Sequence, residues 1–252
     1  MLGLFKSDFS IGKSILNLNL PKETEGDSSD SIFEIALENN LKEIILVEDS
    51  LTGFLQALKN SNELGIKLVF GLRISVCNNL NTDKKENVDE SKVVIFARND
   101  NGCKVLNKIY SFANTQGNGK IDYKNLESFF CEDLILSIPF YDSFIFNNSL
   151  FFKSCIPNFS FCKPQFFIES NNLPFDSIIK AKVEKYCLKN NYDYFPAKSI
   201  YYKNKEDFKA FQTYKCICNR SFGKARSLNV PNLDHCGSDE FSFESYLEKC
   251  DT

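Results

Sequence analysis

The sequence has little histidine, no long apolar run and no block of like charge, and each absence excludes a class of function. His235 is the one histidine among 252 residues, which excludes a site built from several imidazoles. The longest apolar runs fall short of the roughly 18 residues that a membrane-spanning helix needs, and MLGLFKSDFS does not have the layout of a secretory signal. With a net charge of -3, the chain has no basic arm for nucleic acid, so any DNA contact would run through a local patch or a partner. We expect a cytoplasmic chain that does not contact a membrane.

The residues that are present favour a single globular domain with reduced thiols. Hydrophobic residues make up 43% of the chain, which is enough for one sizeable core. The ten cysteines are scattered, and without an export signal they are expected to serve as small apolar side chains. A zinc site can be drawn on paper from Cys216, Cys218, His235 and Cys236. However, Cys-x-Cys is not the usual spacing and residues 219–234 add no ligand pair, so we favour scattered thiols. His235 also has no nucleophile marked near it, which excludes a catalytic triad.

The segment SDFSIGKS, Ser7 to Ser14, ends like a phosphate-binding loop but departs from that motif in two ways. The motif needs a glycine where Ser7 stands, because the backbone must curl around the phosphates. A helix must also follow, and ILNLNLP is a poor helix former. We therefore reject a nucleotide loop here.

Apolar runs typical of buried strands alternate with helical patterns, which predicts an α/β architecture with a mainly parallel sheet. A capping box, Ser31 with Glu34, predicts the start of a helix that ends near residue 40, and Gly65 predicts the end of a second one, with Leu51, Phe54, Leu55 and Leu58 at helical spacing. The other predicted helices cover residues 101–113 and 177–190, and the predicted strands cover 2–5, 43–47, 66–76, 92–97, 165–170 and 195–202. Residues 81–90 are predicted to form a surface loop, and residues 129–167 are rich in Phe without a clear pattern.

Glu48 and Asp49 directly follow the predicted strand 43–47, at the end where α/β folds place catalytic groups. Adjacent carboxylates can bind a divalent cation. Such pairs are also common as helix-initiating or solvated residues. Without further ligands nearby in the sequence, we favour the second interpretation.

The order of segments carries a family resemblance. FKSDFS, IILVEDSLTG, ELGIKLVFGLRISV, VVIFARNDNGCKVLNKIYSFAN, PQFFIES and PAKSIYYKNKEDFKAFQTYKCI follow one another at plausible spacing. In this order they resemble the N-terminal PHP (polymerase and histidinol phosphatase) domain of bacterial DNA polymerase III alpha subunits, over roughly residues 2–247. The resemblance implies a distorted (β/α)7 TIM-like barrel of the PHP type spanning 1–252, with 205–252 as a C-terminal extension leading toward an absent polymerase core.

The same resemblance implies a degenerate metal site at the C-terminal ends of the strands. The positions that carry ligands in intact members hold, in chain order, Leu4, Lys6, Glu48 with Asp49, Arg73, Ser199 and Tyr201. Leucine and tyrosine do not replace imidazole, and Lys6 and Arg73 bring positive charges to a site for cations. We expect no catalytic residue, no metal and no cofactor. We hypothesise that Lys6, Arg73, Glu48 and Asp49 form a salt-bridged or solvated cluster instead.

The function that the resemblance implies is a non-catalytic PHP domain in DNA replication. Such a domain would dock the polymerase core and the proofreading exonuclease subunit, would meet DNA indirectly, and would belong to a DNA-directed DNA polymerase. The Phe-rich residues 129–167 are a candidate contact, or they fill the protein's own core. The alternative is a metal-dependent phosphoesterase or 3′–5′ exonuclease with a rebuilt site, using Mn, Zn or Mg with Asp8, Glu48 and Asp49 as ligands. A third possibility is a decoy that captures the exonuclease.

Overall fold

The computed structural model describes residues 1–21, 29–80, 89–218 and 237–250. Its strands are β1 (Leu2–Phe5), β2 (Glu43–Glu48), β3 (Lys67–Cys77), β4 (Ser91–Ala97), β5 (Lys120–Asp122), β6 (Leu134–Ile138), β7 (Gln165–Ile168) and β8 (Asp193–Ile200). Its helices are α1 (Ile32–Glu38), α2 (Phe54–Leu64), α3 (Asp100–Thr115), α4 (Tyr123–Phe129), α5 (Phe144–Leu150), α6 (Asp176–Asn190), α7 (Phe208–Cys218) and α8 (Phe243–Cys250). None of the helices in these ranges is long and apolar enough to cross a membrane.

Seven strands close into a barrel surrounded by helices. The strands pair in the order β2, β1, β8, β7, β6, β4 and β3, and β3 pairs again with β2 to complete the ring. Five of these pairings are parallel, as the sequence pattern predicted. β5 lies outside the ring and extends β3 at its end. The architecture is therefore α/β with a TIM-like barrel.

β4 departs from the regular alternation of strand and helix. It runs antiparallel to both of its neighbours, β3 and β6. Val76 near the end of β3 lies opposite Ser91 at the start of β4, so the chain turns back beside itself instead of crossing over the sheet. The end of β3, the start of β4 and the end of β6 consequently meet at one end of the barrel.

The interior of the barrel is apolar and closely packed. Leu4, Val47, Val94, Phe96, Phe167 and Ala197 form this inner cluster. The rings of Phe96 and Phe167 meet edge to face with their centroids 6.3 Å apart. Gly71 in β3 gives them room, because a Cβ there would lie 2.5 Å from a ring carbon of Phe96. The barrel is thus a filled core whose polar groups lie at its ends.

A second, larger core lies between the barrel and the helices, and it takes up most of the Phe-rich region. Phe140, Phe144 and Phe166 are buried there, which favours the core-filling interpretation for most of residues 129–167. The exceptions are Phe151 and Phe152, whose exposed fractions are 56% and 89%. The nine cysteines in the described ranges are free thiols.

Two local predictions about helices had different outcomes. Ser31 caps α1, because its hydroxyl accepts hydrogen bonds from the backbone N–H groups of Phe33 and Glu34. The predicted apolar face of α2 was wrong at Leu55, which is 74% exposed, and at Leu58. α2 turns Ala57 and Asn60 inward instead, and the Asn60 amide donates to the Leu18 carbonyl at 2.7 Å. A buried backbone carbonyl needed that donor, which spacing alone does not reveal.

The C-terminal segment packs into the body of the protein. Phe211 of α7, Phe241 and Phe243 belong to the large core. Tyr202 forms a β-bridge with Ser242, and buried Lys198 pairs with Glu240 at 2.8 Å. The described part of residues 205–252 is therefore integrated with the barrel.

Candidate functional site at the mouth of the barrel

The C-terminal ends of the parallel strands bring polar side chains to one mouth of the barrel. Side chains alternate between faces along a strand, so the residue two positions after an inner apolar residue also faces inward. Lys6 follows Leu4 in this way, Asp49 follows Val47, and Arg73 follows Gly71. The sequence-predicted positions Lys6, Asp49 and Arg73 therefore meet at one place.

Asp49 is the centre of this mouth network, which we define as Lys6, Lys13, Asp49, Arg73 and Asp142. Its carboxylate lies 3.2 Å from the Lys6 ammonium, 2.9 Å from the Lys13 ammonium and 3.5 Å from the Arg73 guanidinium. Burial alone would raise the pKa of Asp49, but Lys6, Arg73 and Lys13 hold it well below its usual range. Asp49 is therefore a carboxylate already surrounded by cations.

Arg73 connects two carboxylates across the mouth. One of its terminal nitrogens pairs with Asp142, which follows β6, while the other faces Asp49. Burial alone would lower the pKa of Arg73, but Asp142 and then Asp49 raise it above its usual value. Burial lowers the pKa of Lys6, and Asp49 acts against that shift. The charges of the mouth network thus compensate one another within the protein.

Glu48 points away from Asp49, because adjacent residues of a strand face opposite sides of the sheet. Its carboxylate accepts a hydrogen bond of 2.8 Å from the Ser7 backbone N–H and another from the Ser10 hydroxyl. The same Ser10 oxygen accepts from the Asp49 backbone N–H at 3.0 Å. Burial raises the pKa of Glu48, whereas Lys6 and the two serines lower it. Glu48 therefore connects the end of β2 to the loop after β1 through two hydrogen bonds.

The loop 7–14, whose sequence ends like a phosphate-binding loop, contributes Lys13 to the mouth network. Gly12 has a φ of 72°, a left-handed conformation that glycine adopts freely. The following Lys13 reaches Asp49, and the Ser14 hydroxyl donates to the Tyr201 carbonyl at 2.9 Å. Residues 15–20, which directly follow this loop, are not helical, in agreement with the rejection of a nucleotide loop. Asp8 lies on the exposed turn of this loop.

Glu169, just after β7, forms a second buried polar cluster beside the mouth. Its carboxylate accepts hydrogen bonds from the Ser199 backbone N–H and hydroxyl, both at 2.9 Å, and from the Asn171 amide at 3.0 Å. Burial raises the pKa of Glu169, and these donors act against the shift. The predicted position Ser199 is thus engaged with a carboxylate that the sequence analysis did not single out.

The two remaining predicted positions are packed among apolar groups. Leu4 is part of the inner barrel cluster. Tyr201 stacks on Phe241 with the ring centroids 5.3 Å apart and on Phe211 at 5.7 Å. Burial raises the pKa of Tyr201 above its usual value. Neither side chain offers a ligand that suits a metal ion at neutral pH.

The residues at the mouth do not fit a metal ion. A divalent cation would have to displace three cations from Asp49, and Glu48 faces elsewhere. Among residues 1–21, 29–80, 89–218 and 237–250, no three side chains of His, Cys, Asp or Glu are arranged to hold a metal. The zinc site considered from Cys216, Cys218, His235 and Cys236 is not tested, because His235 and Cys236 lie outside the described residues. Most of the surface loop predicted at residues 81–90 also lies outside them.

Lys13, Asp142 and Glu169 were not predicted from the sequence. Glu169 follows the strand QFFI directly, as Glu48 follows EIILV, so the strand-end rule that selected Glu48 selects it equally. Lys13 and Asp142 lie in loops, where spacing does not indicate direction. Their roles depend on the closure of the barrel.

Comparison with protein families gives one match. The family model of the PHP domain matches residues 26–148, which is just under half of the chain and runs from before α1 into α5. Asp49, Arg73 and Asp142 lie within the matched range, whereas Lys6, Lys13 and Glu169 lie outside it. No curated protein sequence matches the chain.

Proposed function

We propose that this chain is a non-catalytic PHP-type barrel that acts as a structural and docking module of a DNA polymerase III alpha-type replication protein. The PHP-domain match over residues 26–148 and the closed TIM-like barrel support the superfamily. The order of segments described above supports the alpha-subunit type. The single observation that carries the non-catalytic assignment is the contact of Asp49 with Lys6, Lys13 and Arg73.

The charges at the mouth oppose metal binding. A PHP phosphoesterase needs carboxylates and imidazoles free to bind cations, and metal affinity falls when positive side chains already neutralise the ligands. In the mouth network two carboxylates face three cationic side chains, so an added divalent cation would meet repulsion. The barrel keeps its packed interior regardless, because inner side chains such as Phe96 and Phe167 do not depend on a metal.

The proposed docking surface is the exposed apolar segment of Phe151, Phe152 and Ile156, which follows α5. Their exposed fractions are 56%, 89% and 69%, in contrast to the buried rings around them. Adjacent exposed apolar side chains of this size are typical of a protein contact. We assign this segment to the proofreading exonuclease subunit, in accord with the resemblance.

Two measurements test the proposal. Metal analysis of the purified protein, together with nuclease assays in Mn²⁺, Zn²⁺ and Mg²⁺, is expected to give substoichiometric metal and no activity. One tightly bound metal per chain, with nuclease activity lost in Glu48→Gln and Asp49→Asn, would establish the rebuilt-site phosphoesterase instead.

Binding of the exonuclease subunit from the same replication system tests the docking role. Phe152→Ser should weaken it, whereas Leu55→Ser, a change at a similarly exposed apolar residue on α2, should not. Equal binding by both variants would place the contact elsewhere. No binding to the unmodified chain would remove the docking assignment.

A further inference from the structure

A pocket of about 350 Å³ opens beside the mouth network, between the β3–β4 pair and α5. Ser75 and Lys92 form a cross-strand pair on the face that also carries Arg73. The other polar residues of the lining are Glu90, Ser91, Asp142, Asn147 and Lys153. The volume is within the range of pockets that hold small molecules.

The carboxylates of this pocket already have cationic partners. Asp142 pairs with Arg73, and Glu90 pairs with Lys120. The Asn147 amide donates to the backbone carbonyls of Glu90 and Asp142. These contacts leave the acidic side of the pocket largely satisfied.

The two lysines of the pocket have neutral partners. The Lys92 ammonium donates to the Ser75 hydroxyl at 2.6 Å, and the Lys153 ammonium donates to the Glu90 backbone carbonyl at 3.3 Å. Across the part of the chain that the structure describes, neither ammonium lies within 4.0 Å of a carboxylate, whereas Lys6, Lys13 and Lys120 do. A partly buried charge is costly without an opposite charge or a full set of hydrogen bonds. Among the described residues, these two positive charges therefore have no direct carboxylate partner.

We propose that this pocket binds a phosphate group, either inorganic phosphate or the terminal group of a phosphate monoester. A phosphate dianion balances both ammonium charges, whereas a carboxylate balances one. It also offers several acceptor oxygens to Lys92, Lys153 and the Ser75 hydroxyl, and hydrogen bonds between such charged groups are stronger than neutral ones. The pocket shares Asp142 with the mouth network but is not lined by Glu48 or Asp49, and its existence does not depend on the proposed docking function.

The protonation behaviour of Lys92 is consistent with an uncompensated cation. Burial, Arg73 and Lys13 lower its pKa, Asp49 and Asp142 act in the opposite direction, and the net result is a pKa of about 8. A bound dianion adds a strong opposing charge and raises the pKa. Binding and protonation of Lys92 should therefore favour each other.

Isothermal titration calorimetry on the full chain, with inorganic phosphate and separately with glycerol 3-phosphate, tests the site. We expect saturable binding of one phosphate group per chain, and tighter binding of one of the two compounds identifies the source. Lys92→Gln and Lys153→Gln should each weaken binding about tenfold or more, since each removes a charge-assisted hydrogen bond. Lys163→Gln, at a lysine paired on the surface with Asp193, is the matched control and should bind unchanged.

Two outcomes would overturn the proposal. One is the absence of saturable binding of both compounds. The other is binding that persists in Lys92→Gln and Lys153→Gln but is lost in Lys13→Gln, which would place the anion at the mouth network. If Lys92→Gln does not fold, NMR of the chain with ¹³C-methylated lysines decides, because phosphate should shift the methyl resonance of Lys92 and leave that of Lys163 unchanged; no shift at Lys92 would overturn the proposal.

Discussion

The Lys6 ammonium lies 3.2 Å from the Asp49 carboxylate, in the mouth of the barrel and with only 6% of the lysine side chain exposed. The two residues are 43 positions apart in the chain, and they meet because β1 and β2 pair in parallel, with Leu4 opposite Ile45. Arg73 and Lys13 join the same carboxylate. These contacts fill the end of the barrel with ion pairs.

Asp49→Asn should destabilise the protein strongly. The substitution leaves Lys6 and Arg73 buried without their shared carboxylate, and breaking a buried ion pair on one side typically costs about 3–5 kcal/mol. Urea unfolding monitored by circular dichroism measures the change. The control is Asp193→Asn, which removes an exposed pair with Lys163 and should cost about 1 kcal/mol or less. Similar losses in both variants would show that the mouth network has no special structural role.

The lowered pKa of Asp49 predicts that the stability of the protein depends on pH in the acid range. Since the folded-state pKa of Asp49 is depressed, its contribution is present above the unfolded-state pKa of about 3.9 and is lost as the pH falls through the lower folded-state value. The stability difference between the natural protein and Asp49→Asn should therefore be constant from pH 7 to 5 and should shrink below about pH 4. Unfolding midpoints across this range test it, and a difference that stays constant into strong acid would contradict the assignment.

The lowered pKa of Lys92 predicts that stability also depends on pH in the alkaline range. Its pKa is lowered to about 8 in the folded state, so between that value and its usual 10.5 the unfolded state binds more protons. Stability relative to Lys92→Met should therefore rise as the pH increases from 7 to 10. Urea unfolding of both proteins in phosphate-free buffer measures the difference, and other lysines cancel because both proteins retain them. A flat difference would show that Lys92 titrates normally.

Gly71→Ala should overfill the barrel. The added methyl group would lie 2.5 Å from the Phe96 ring, and overpacking of a filled core costs about 1–3 kcal/mol. Phe96→Leu in the same chain should recover part of this loss, because it removes the clashing ring atoms. Thermal unfolding of the two single variants and the double variant measures the coupling. Additive losses would mean that Gly71 and Phe96 do not compete for the same space.

Glu48→Ala should loosen the loop after β1. The substitution leaves the Ser7 N–H and the Ser10 hydroxyl without their acceptor, and a buried unsatisfied donor costs about 1–3 kcal/mol. Glu48→Gln keeps one acceptor oxygen and should cost less. Proteolysis within residues 7–14 gives a local readout, and equal cleavage of both variants and the natural protein would exclude this fastening role.

The sequence by itself determined the strands and helices that have a clear pattern, whereas β6 and α5, in the Phe-rich region, were not predicted. Strand runs such as EIILV and KVVIFA are continuous apolar segments, and a strand buried on both faces requires them. The rule that polar groups collect at the C-terminal ends of parallel strands also located Glu48 and Asp49. The same rule holds for Glu169, which was not predicted. These features depend on residues adjacent in the chain, so local pattern suffices to find them.

Only the tertiary structure decided which of these groups meet. Glu48 and Asp49 are neighbours in sequence but face opposite sides of β2, whereas Arg73 and Asp142 are 69 positions apart and form an ion pair. The antiparallel course of β4 placed Lys92 beside Ser75 and created the phosphate pocket that we propose. The physical reason is that ion pairing and burial depend on distances in space, and those distances are fixed by the closure of the barrel.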